Sequence, residues 1–231
     1  MADNSRILRT PVCRMSYPNL VKARVYEDKK KGIKGDPRYS CDFLLEPADL
    51  EKFQVLEEGA WGNVSLKAVL AAAAREAWPG MDVKEAVKHG GIKWPITDGN
   101  VLATRREAEG KKNSDLTKDK FTISASTKEE FAPQLFVLQG GEAIELDRNA
   151  VADKATIQKL FVGGQYVVAG LKLKPNETPQ GKFLTFYLNS VLYVKKGERI
   201  GGMTGETMFA GIEGGEADLD PTEGLPADLD I

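Results

Sequence analysis

The sequence predicts a mainly β protein with a helical insertion (α+β), built as a small β-barrel with elaborations and closed by an acidic tail. Three features support this. Apolar and polar residues alternate in several runs, most clearly in GGQYVVAGLKLK and KFLTFYLNSVLYVKK, which is the period of a half-buried strand. Glycine pairs and turn residues punctuate those runs, as strand ends require. Helix-forming composition is concentrated in one block, about residues 47–89, and the remaining pattern is β.

Taken in order, NLVKARVY alternates, with Val21, Ala23 and Val25 on one face. A basic loop, EDKKKGIKGDPR, leads to YSCDFLL, where Tyr39, Cys41 and Phe43 share a face. The helical block contains ADLEKFQVLEEG and NVSLKAVLAAAAREAW, with Asn63 as an N-cap and Pro79-Gly80 as a stop, then MDVKEAVKHG. GGIKWPITDGN reads as turns, and TRREAEGKKNSDLTKDK as an exposed charged loop. KFTISAST alternates again, placing Phe121, Ile123 and Ala125 opposite Lys120, Thr122 and Ser124. FAPQLFVLQGGEAIEL reads as a strand and turn, and DKATIQKLF fits no single element.

The last two runs form a hairpin across PNETPQG. Val167, Ala169, Leu171 and Leu173 make its aliphatic face on the first strand; Leu184, Phe186, Leu188, Leu192 and Val194 make it on the second. Aromatic rings and lysines share the opposite face. The domain reading is one folded unit over residues 1–210 and a disordered tail over 211–231.

Composition excludes more than it identifies. With 231 residues and 42% hydrophobic content the chain can bury a sizeable core. The opening MADNSRILRTPV lacks the apolar segment of a signal peptide, and AVLAAAA is too short to span a membrane, so the expectation is a cytosolic, soluble chain. One histidine, His89, cannot supply a histidine metal cluster or a catalytic triad, and Cys13 and Cys41 form no CxxC site. No phosphate-binding loop is present. Glu142, Glu145 and Asp147 are the one carboxylate group that a nuclease could use, and a solvated turn is the better account of them. The expectation is binding, with no catalytic residue, metal or cofactor.

Charge points to the ligand. The formal net charge is −2, yet residues 1–210 carry all 32 basic side chains, and 211–231 carry none against seven acids. That asymmetry points either to a nucleic-acid or other polyanion partner beside an acidic tail, or to a terminus that is simply solvated. Cations interleave with rings in three places. The first holds Tyr17, Lys22, Arg24, Tyr26, Lys30, Lys34 and Tyr39; the second Lys93, Trp94, Arg105, Lys111, Lys112 and Lys120; the third Tyr166, Lys172, Lys174, Phe183 and Tyr187. Cations neutralise a phosphate backbone while flat rings stack on bases of any identity, the pairing that single-strand binding needs. Trp94 precedes Pro95 and therefore sits on extended backbone, either presenting its indole outward or plugging the core.

RMSYPNL, KWPITDGN and FVGGQYVVAGLKLKPNETPQGKFLTFYLNSVLYVKKGERIGG carry a family resemblance. With the acidic tail, they make the chain resemble the phage single-stranded DNA-binding proteins long grouped as a domain of unknown function. Their barrel is similar to that of the replication single-strand-binding protein of T-odd podophages. The resemblance implies an OB-fold-type five-stranded β-barrel, sequence-independent binding of single-stranded DNA, and a role in phage DNA replication or recombination. It implies action in the cytoplasm of the infected bacterial host. It selects Tyr17, Trp94, Tyr166 and Tyr187 within the matching motifs, without saying which touch DNA. The alternative is a phage structural or adaptor protein whose basic face docks acidic proteins.

The tail carries its own expectation. Gly, Pro and acid with few large apolar groups cannot bury enough surface to fold. Its acids, among them Asp218, Asp220, Asp228 and Asp230, imitate a phosphate backbone and mask the basic face. Asp230 stands between Leu229 and Ile231, which offer an apolar tip to replication or recombination proteins. About 19 residues reach roughly 24 Å as a flexible chain. Deleting residues 213–231 is expected to tighten single-stranded DNA binding at low salt, an advantage that shrinks as salt screens the competition. Fluorescence anisotropy at two ionic strengths measures it; equal affinities at low salt contradict the masking.

Overall fold

Alternating runs become strands, and most of them are short. The computed structural model describes residues 5–25, 27–28, 33–109 and 116–200, all within the unit Met1–Ile200. In chain order the strands are β1 (Arg6–Arg9), β2 (Cys13–Arg24), β3 (Glu27–Asp28), β4 (Ile33–Lys34), β5 (Arg38–Leu45), β6 (Phe53–Glu57) and β7 (Ala60–Val64). Helices α1 (Leu66–Ala77) and α2 (Val83–Lys88) follow, then β8 (Ile92–Lys93), β9 (Ile96–Asp98) and α3 (Gly99–Ala108). The chain continues through β10 (Phe121–Lys128), β11 (Gln134–Gln139), β12 (Glu142–Glu145), α4 (Val151–Leu160), β13 (Tyr166–Thr178) and β14 (Gly181–Lys195). Two 3-10 turns, Pro47–Glu51 and Glu129–Phe131, complete it.

Twelve strands form one sheet, and β3–β4 pair separately. Five strands pair in a closed circuit: β2 with β5, β5 with β10, β10 with β14, β14 with β13, and β13 with β2. Of these pairs only β10–β14 is parallel. The other seven strands add to the circuit. β1, β6 and β7 extend from β13, β11 and β12 extend from β14, β8 lies along β14, and β9 along β10. The sheet is therefore larger than the five strands expected.

Side-chain parity fixes the inside. Val167, Ala169, Leu171 and Leu173 of β13 are fully buried, as are Phe43 of β5, Ile123 of β10 and Phe186 of β14. α1 buries Leu66, Val69, Leu70, Ala73 and Ala74, and Ile157 and Phe161 at the end of α4 are buried too.

Several sequence expectations are corrected. The block 47–89 is not wholly helical: its first third is a 3-10 turn followed by the hairpin β6–β7. Phe53 and Val55 are buried while Gln54 and Leu56 are only half-buried. Glu58 and Gly59 both take positive φ, +48° and +82°, the backbone of a tight hairpin turn. Pairing of β6 with β1 outweighs the local helix propensity. Asn63 lies in β7 and accepts from Gln54 Nε2 at 3.1 Å; the N-cap of α1 is Ser65. TRREA is helical, as the end of α3. Asp98 caps that helix by accepting from Asn100 N–H at 2.8 Å. Gly99 is obligatory there, because an added Cβ would stand 1.6 Å from the Thr117 carbonyl oxygen.

Bulges account for two further differences. β2 has register irregularities on both sides of Asn19, so Leu20 and Ala23 are buried while Val21 and Val25 are exposed. In β14, Gly170 pairs with Ser190 but Leu171 pairs with Leu188, leaving Asn189 extra. One extra residue inverts every later side chain. Val191 is therefore buried, and Tyr193 meets Phe161 edge-on at 6.5 Å, in place of the expected Leu192 and Val194. PNETPQG is mostly strand, since pairing continues to Thr178 opposite Gly181.

The helical insertion is fastened to the tip of the β13–β14 hairpin. Buried Trp78, just after α1, donates from Nε1 to Glu177 at 3.1 Å, and Lys182 donates to the same carboxylate at 2.8 Å. The Lys182 hydrogen bond, then that of Trp78, hold Glu177 below the usual carboxylate range. A carboxyl whose folded pKa is depressed stabilises above its unfolded pKa, and that contribution fades as pH falls through the folded value. Glu177→Gln is expected to lower Tm slightly at pH 7, with the gap to wild type closing on acidification. A gap independent of pH contradicts the assignment.

Candidate nucleic-acid interface

The outward face of the circuit is polar because its inward face is apolar; strand parity leaves no alternative. Cross-strand register then decides which outward residues become neighbours. Lys172 of β13 pairs with Tyr187 of β14, and Lys174 with Thr185. Tyr187 pairs on its other side with Ser126 of β10, Ser126 with Ser40 of β5, and Ser40 with Asn19 of β2. One row thus crosses all five strands. Asn19 Nδ2 donates to Ser40 Oγ at 3.0 Å, tying its last step. Beside this row, Lys128 of β10 stands opposite Arg38 of β5, and Arg38 opposite Arg24 of β2.

Above Lys172 and Tyr187 lies a groove of about 640 Å³. Arg38, Lys128, Lys172 and Lys174 line it with the rings of Phe131 and Tyr187, over a floor that includes Thr127, Gln134, Leu188 and Asn189. Four cations and two rings meet there, and no carboxylate lines the groove among the described residues. Tyr187 is half-buried, and its hydroxyl donates to Asn176 Oδ1 at 3.5 Å. Asn176 is itself held, donating from Nδ2 to Thr185 Oγ1 at 3.0 Å and to the Lys174 carbonyl at 3.3 Å. Phe131 projects from the 3-10 turn after β10 and is 66% exposed. A large ring left in water and like charges set directly opposite both cost stability; a stacking, anionic ligand relieves both. Lys128 is compensated in part by Glu130 at 3.7 Å.

The other residues singled out from the sequence are dispersed. Tyr39 is half-buried beneath the Arg148 guanidinium, 4.9 Å from the ring centroid. Arg148 also donates to the carbonyls of Leu20 and of Pro133, and burial lowers its pKa. Tyr166 lies at the far end of β13 under Lys195, 4.9 Å from its ring. Trp94 is half-buried and packs against the core. Lys93 is exposed on β8 opposite half-buried Phe183. Lys34 pairs with Glu27 at 3.8 Å, Arg105 with Glu109 at 3.7 Å, and Lys120 with Glu46 at 3.2 Å. Lys22 and Arg24 are exposed on β2, as is Tyr17. Tyr26, Lys30, Lys111 and Lys112 lie outside the described residues, with the tail positions Asp218, Asp220, Asp228, Leu229, Asp230 and Ile231.

Lys128 and Phe131 line the groove although the sequence pattern does not single them out. Lys128 continues the outward parity of KFTISAST and was legible from it. Phe131 follows two glutamates and carries no local signal; only the turn after β10 aims it at Tyr187. Glu142 and Glu145 occupy opposite ends of β12, while Asp147 accepts from the Asn149 N–H at 2.8 Å, so the three do not converge. Cys13 and Cys41 are free and buried. Burial pushes the Cys13 thiol up to about 12 and that of Cys41 well above its ordinary value, which makes both inert.

Known proteins are similar to this chain along most of its length. A family model described as Enterobacter phage Enc34, ssDNA-binding protein, matches residues 7–219. Among solved structures, the single-stranded DNA-binding protein from bacteriophage Enc34 in complex with ssDNA aligns with a TM-score of 0.57 at 19% identity, covering 87% of this chain and 96% of that one. A C-terminal truncation of the same phage protein gives 0.55 at 20%, covering 87% and 95%. The gp2.5 single-stranded DNA binding protein of bacteriophage T7 gives 0.46 at 12%, covering 90% and 96%. The two Enc34 structures share the fold of this chain. No curated protein matches it.

The geometry separates rings that hold the fold from rings that do not. Arg148→Ala strips two backbone carbonyls of their donor and uncovers Tyr39, and it is expected to destabilise by about 1–3 kcal/mol. Phe131→Ala is expected to stay within about 0.5 kcal/mol of wild type. Urea denaturation of the two variants tests the contrast; equal losses contradict it.

Proposed function

The chain belongs to the family of the Enterobacter phage Enc34 ssDNA-binding protein, and from that premise we propose that it binds single-stranded DNA without base preference in the groove between Phe131 and Tyr187. The observation that carries this reading is the lining itself: four cations and two rings, with no carboxylate among the described residues. Backbone phosphates take the cations, and exposed bases take the faces of the rings. A groove on a sheet face offers no recognition helix for a duplex groove, so paired bases find no stacking partner. Binding rather than catalysis is the proposed activity.

Two finer statements belong to the same proposal. The closed circuit of β2, β5, β10, β14 and β13, with its parallel β10–β14 step, supports an OB-type five-stranded barrel to which the other strands are additions. Action in phage DNA replication or recombination, in the cytoplasm of a bacterial host and with the acidic tail docking protein partners, follows from the family and the tail's composition.

Affinity is expected to favour single-stranded over duplex DNA, to be insensitive to base order, and to fall steeply with salt. Tyr187→Ala and Phe131→Ala are each expected to weaken it by about 1–3 kcal/mol. Anisotropy titrations with single-stranded and duplex oligonucleotides at several salt concentrations test this. A flat salt response, tighter duplex binding, or two silent ring variants refutes it.

A further inference from the structure

Tyr17 interrupts β2 at φ +44°. A bulky residue with positive φ is an outlier, and a residue before proline is steered away from compact backbone conformations; Tyr17 precedes Pro18. The strain is not repaid by burial, since the ring is 66% exposed. Backbone strain of this kind persists where the surroundings impose it, and it gathers at ligand sites. Here the bulge between Ser16 and Asn19 turns the ring out of the strand.

The surroundings of the ring suit a nucleotide. A small cavity at its base is lined by Asp42, Thr122 and Arg106. Arg106 comes from α3, in a stretch with no β character, and its guanidinium has no acidic partner among the described residues. Thr122 Oγ1 is buried without a hydrogen-bond partner. Among the described residues that line it Asp42 is the one acid, and it accepts a hydrogen bond from the Ser124 hydroxyl. Burial raises the Asp42 pKa, and the Ser124 hydrogen bond opposes that rise. A ring, a cation and an unfilled hydroxyl therefore converge away from the Phe131–Tyr187 groove.

The sheet connects the two places. Asp42 and Ser124 are register partners, as are Ser40 and Ser126, so Tyr17 and Tyr187 border the same outward face. Three inter-strand steps separate β2 from β14, or about 14 Å. The side chains between are small and polar: Asn19, Ser40 and Ser126. Such a floor lets a strand pass without a steric barrier.

We propose, on the reading that the groove takes single-stranded DNA, that Tyr17 and Arg106 form a second stacking and phosphate subsite. The DNA then crosses the strands of β14, β10, β5 and β2 from Tyr187 to Tyr17. Tyr17 bears its strained backbone in order to present the ring.

The decisive variant is Tyr17→Gly, because glycine accepts the positive φ without strain. Its Tm is expected to equal or exceed that of wild type, while affinity for an oligothymidine long enough to reach both rings falls about 5- to 150-fold. Tyr17→Phe is expected to restore the affinity. Arg106→Gln, at a surface helix position, is expected to reduce the slope of log K against log salt by about 0.7, the value of one single-strand phosphate. Unchanged affinity in Tyr17→Gly together with an unchanged slope in Arg106→Gln overturns the proposal, as does a fall in the Tm of Tyr17→Gly with no loss of affinity. Tyr187→Ala, measured on the same oligonucleotide, is the control on the groove. Its silence refutes the groove, whereas a loss there beside silent Tyr17 and Arg106 variants refutes only the second subsite.

Discussion

The parallel pairing of β10 with β14 is the constraint on which the other features hang. It spans two register positions, Ala125 with Phe186 and Ser126 with Tyr187. Without it the meander of β2, β5 and β10 and the hairpin of β13 and β14 would be joined only through β13 and β2, and the circuit would stay open. A parallel step cannot be made by a tight turn, so the chain between must travel. It does so through the β11–β12 hairpin and α4. The detour is used twice: β11 adds a second parallel strand to β14, and the turn that begins it carries Phe131 to the groove. Closure and site are therefore one event, because the step that joins Ser126 to Tyr187 also brings Lys128 and Arg38 beside Lys172.

Charge and burial are sorted by the same parity. Every second residue of β13 from Val167 to Leu173 is sealed inside, which leaves Lys172 and Lys174 on the outer face. There, strand spacing of about 4.8 Å packs cations more closely than solvation alone favours. The outer strands show the opposite arrangement. At one end of the sheet β12 carries Glu142 and Glu145, both exposed. At the other end β7 carries Trp61, covered by the Arg9 guanidinium 4.5 Å above its ring. Arg9 is held in turn by Gln54 Oε1 at 2.8 Å. Charged or capped edges resist pairing with another chain, so the basic face is kept apart from the edges that invite self-association.

The helical insertion has a role beyond filling. α1 packs on β13, and the Trp78–Glu177–Lys182 contact fixes it to the hairpin tip. α3 contributes Arg106 beside Tyr17. An insertion between β5 and β10 thus buttresses the site from behind at one end and supplies side chains to it at the other.

Alternation in β13, β10 and β5, and with it the choice of residues that face the core, can be read from the chain before it folds. Parity is a property of consecutive residues and needs no partner. The ligand class was equally legible, because charge asymmetry and interleaved rings are written locally. Three of the groove residues, Lys172, Lys174 and Tyr187, stood out on one hairpin face. Other features wait on contacts between distant segments. β6 is a strand because β1 offers it an edge, although FQVLE has the composition of a helix. Val191 replaces Leu192 in the core because one bulge at Asn189 reverses the count. Tyr39 meets Arg148, and Trp94 the core, through residues far away in the chain. Arg38, Lys128 and Phe131 join Tyr187 only when β10 pairs with β14. Periodicity assigns a side chain to a face; register across strands assigns it a neighbour, and register is set by closure, bulges and long-range pairing that no local pattern records.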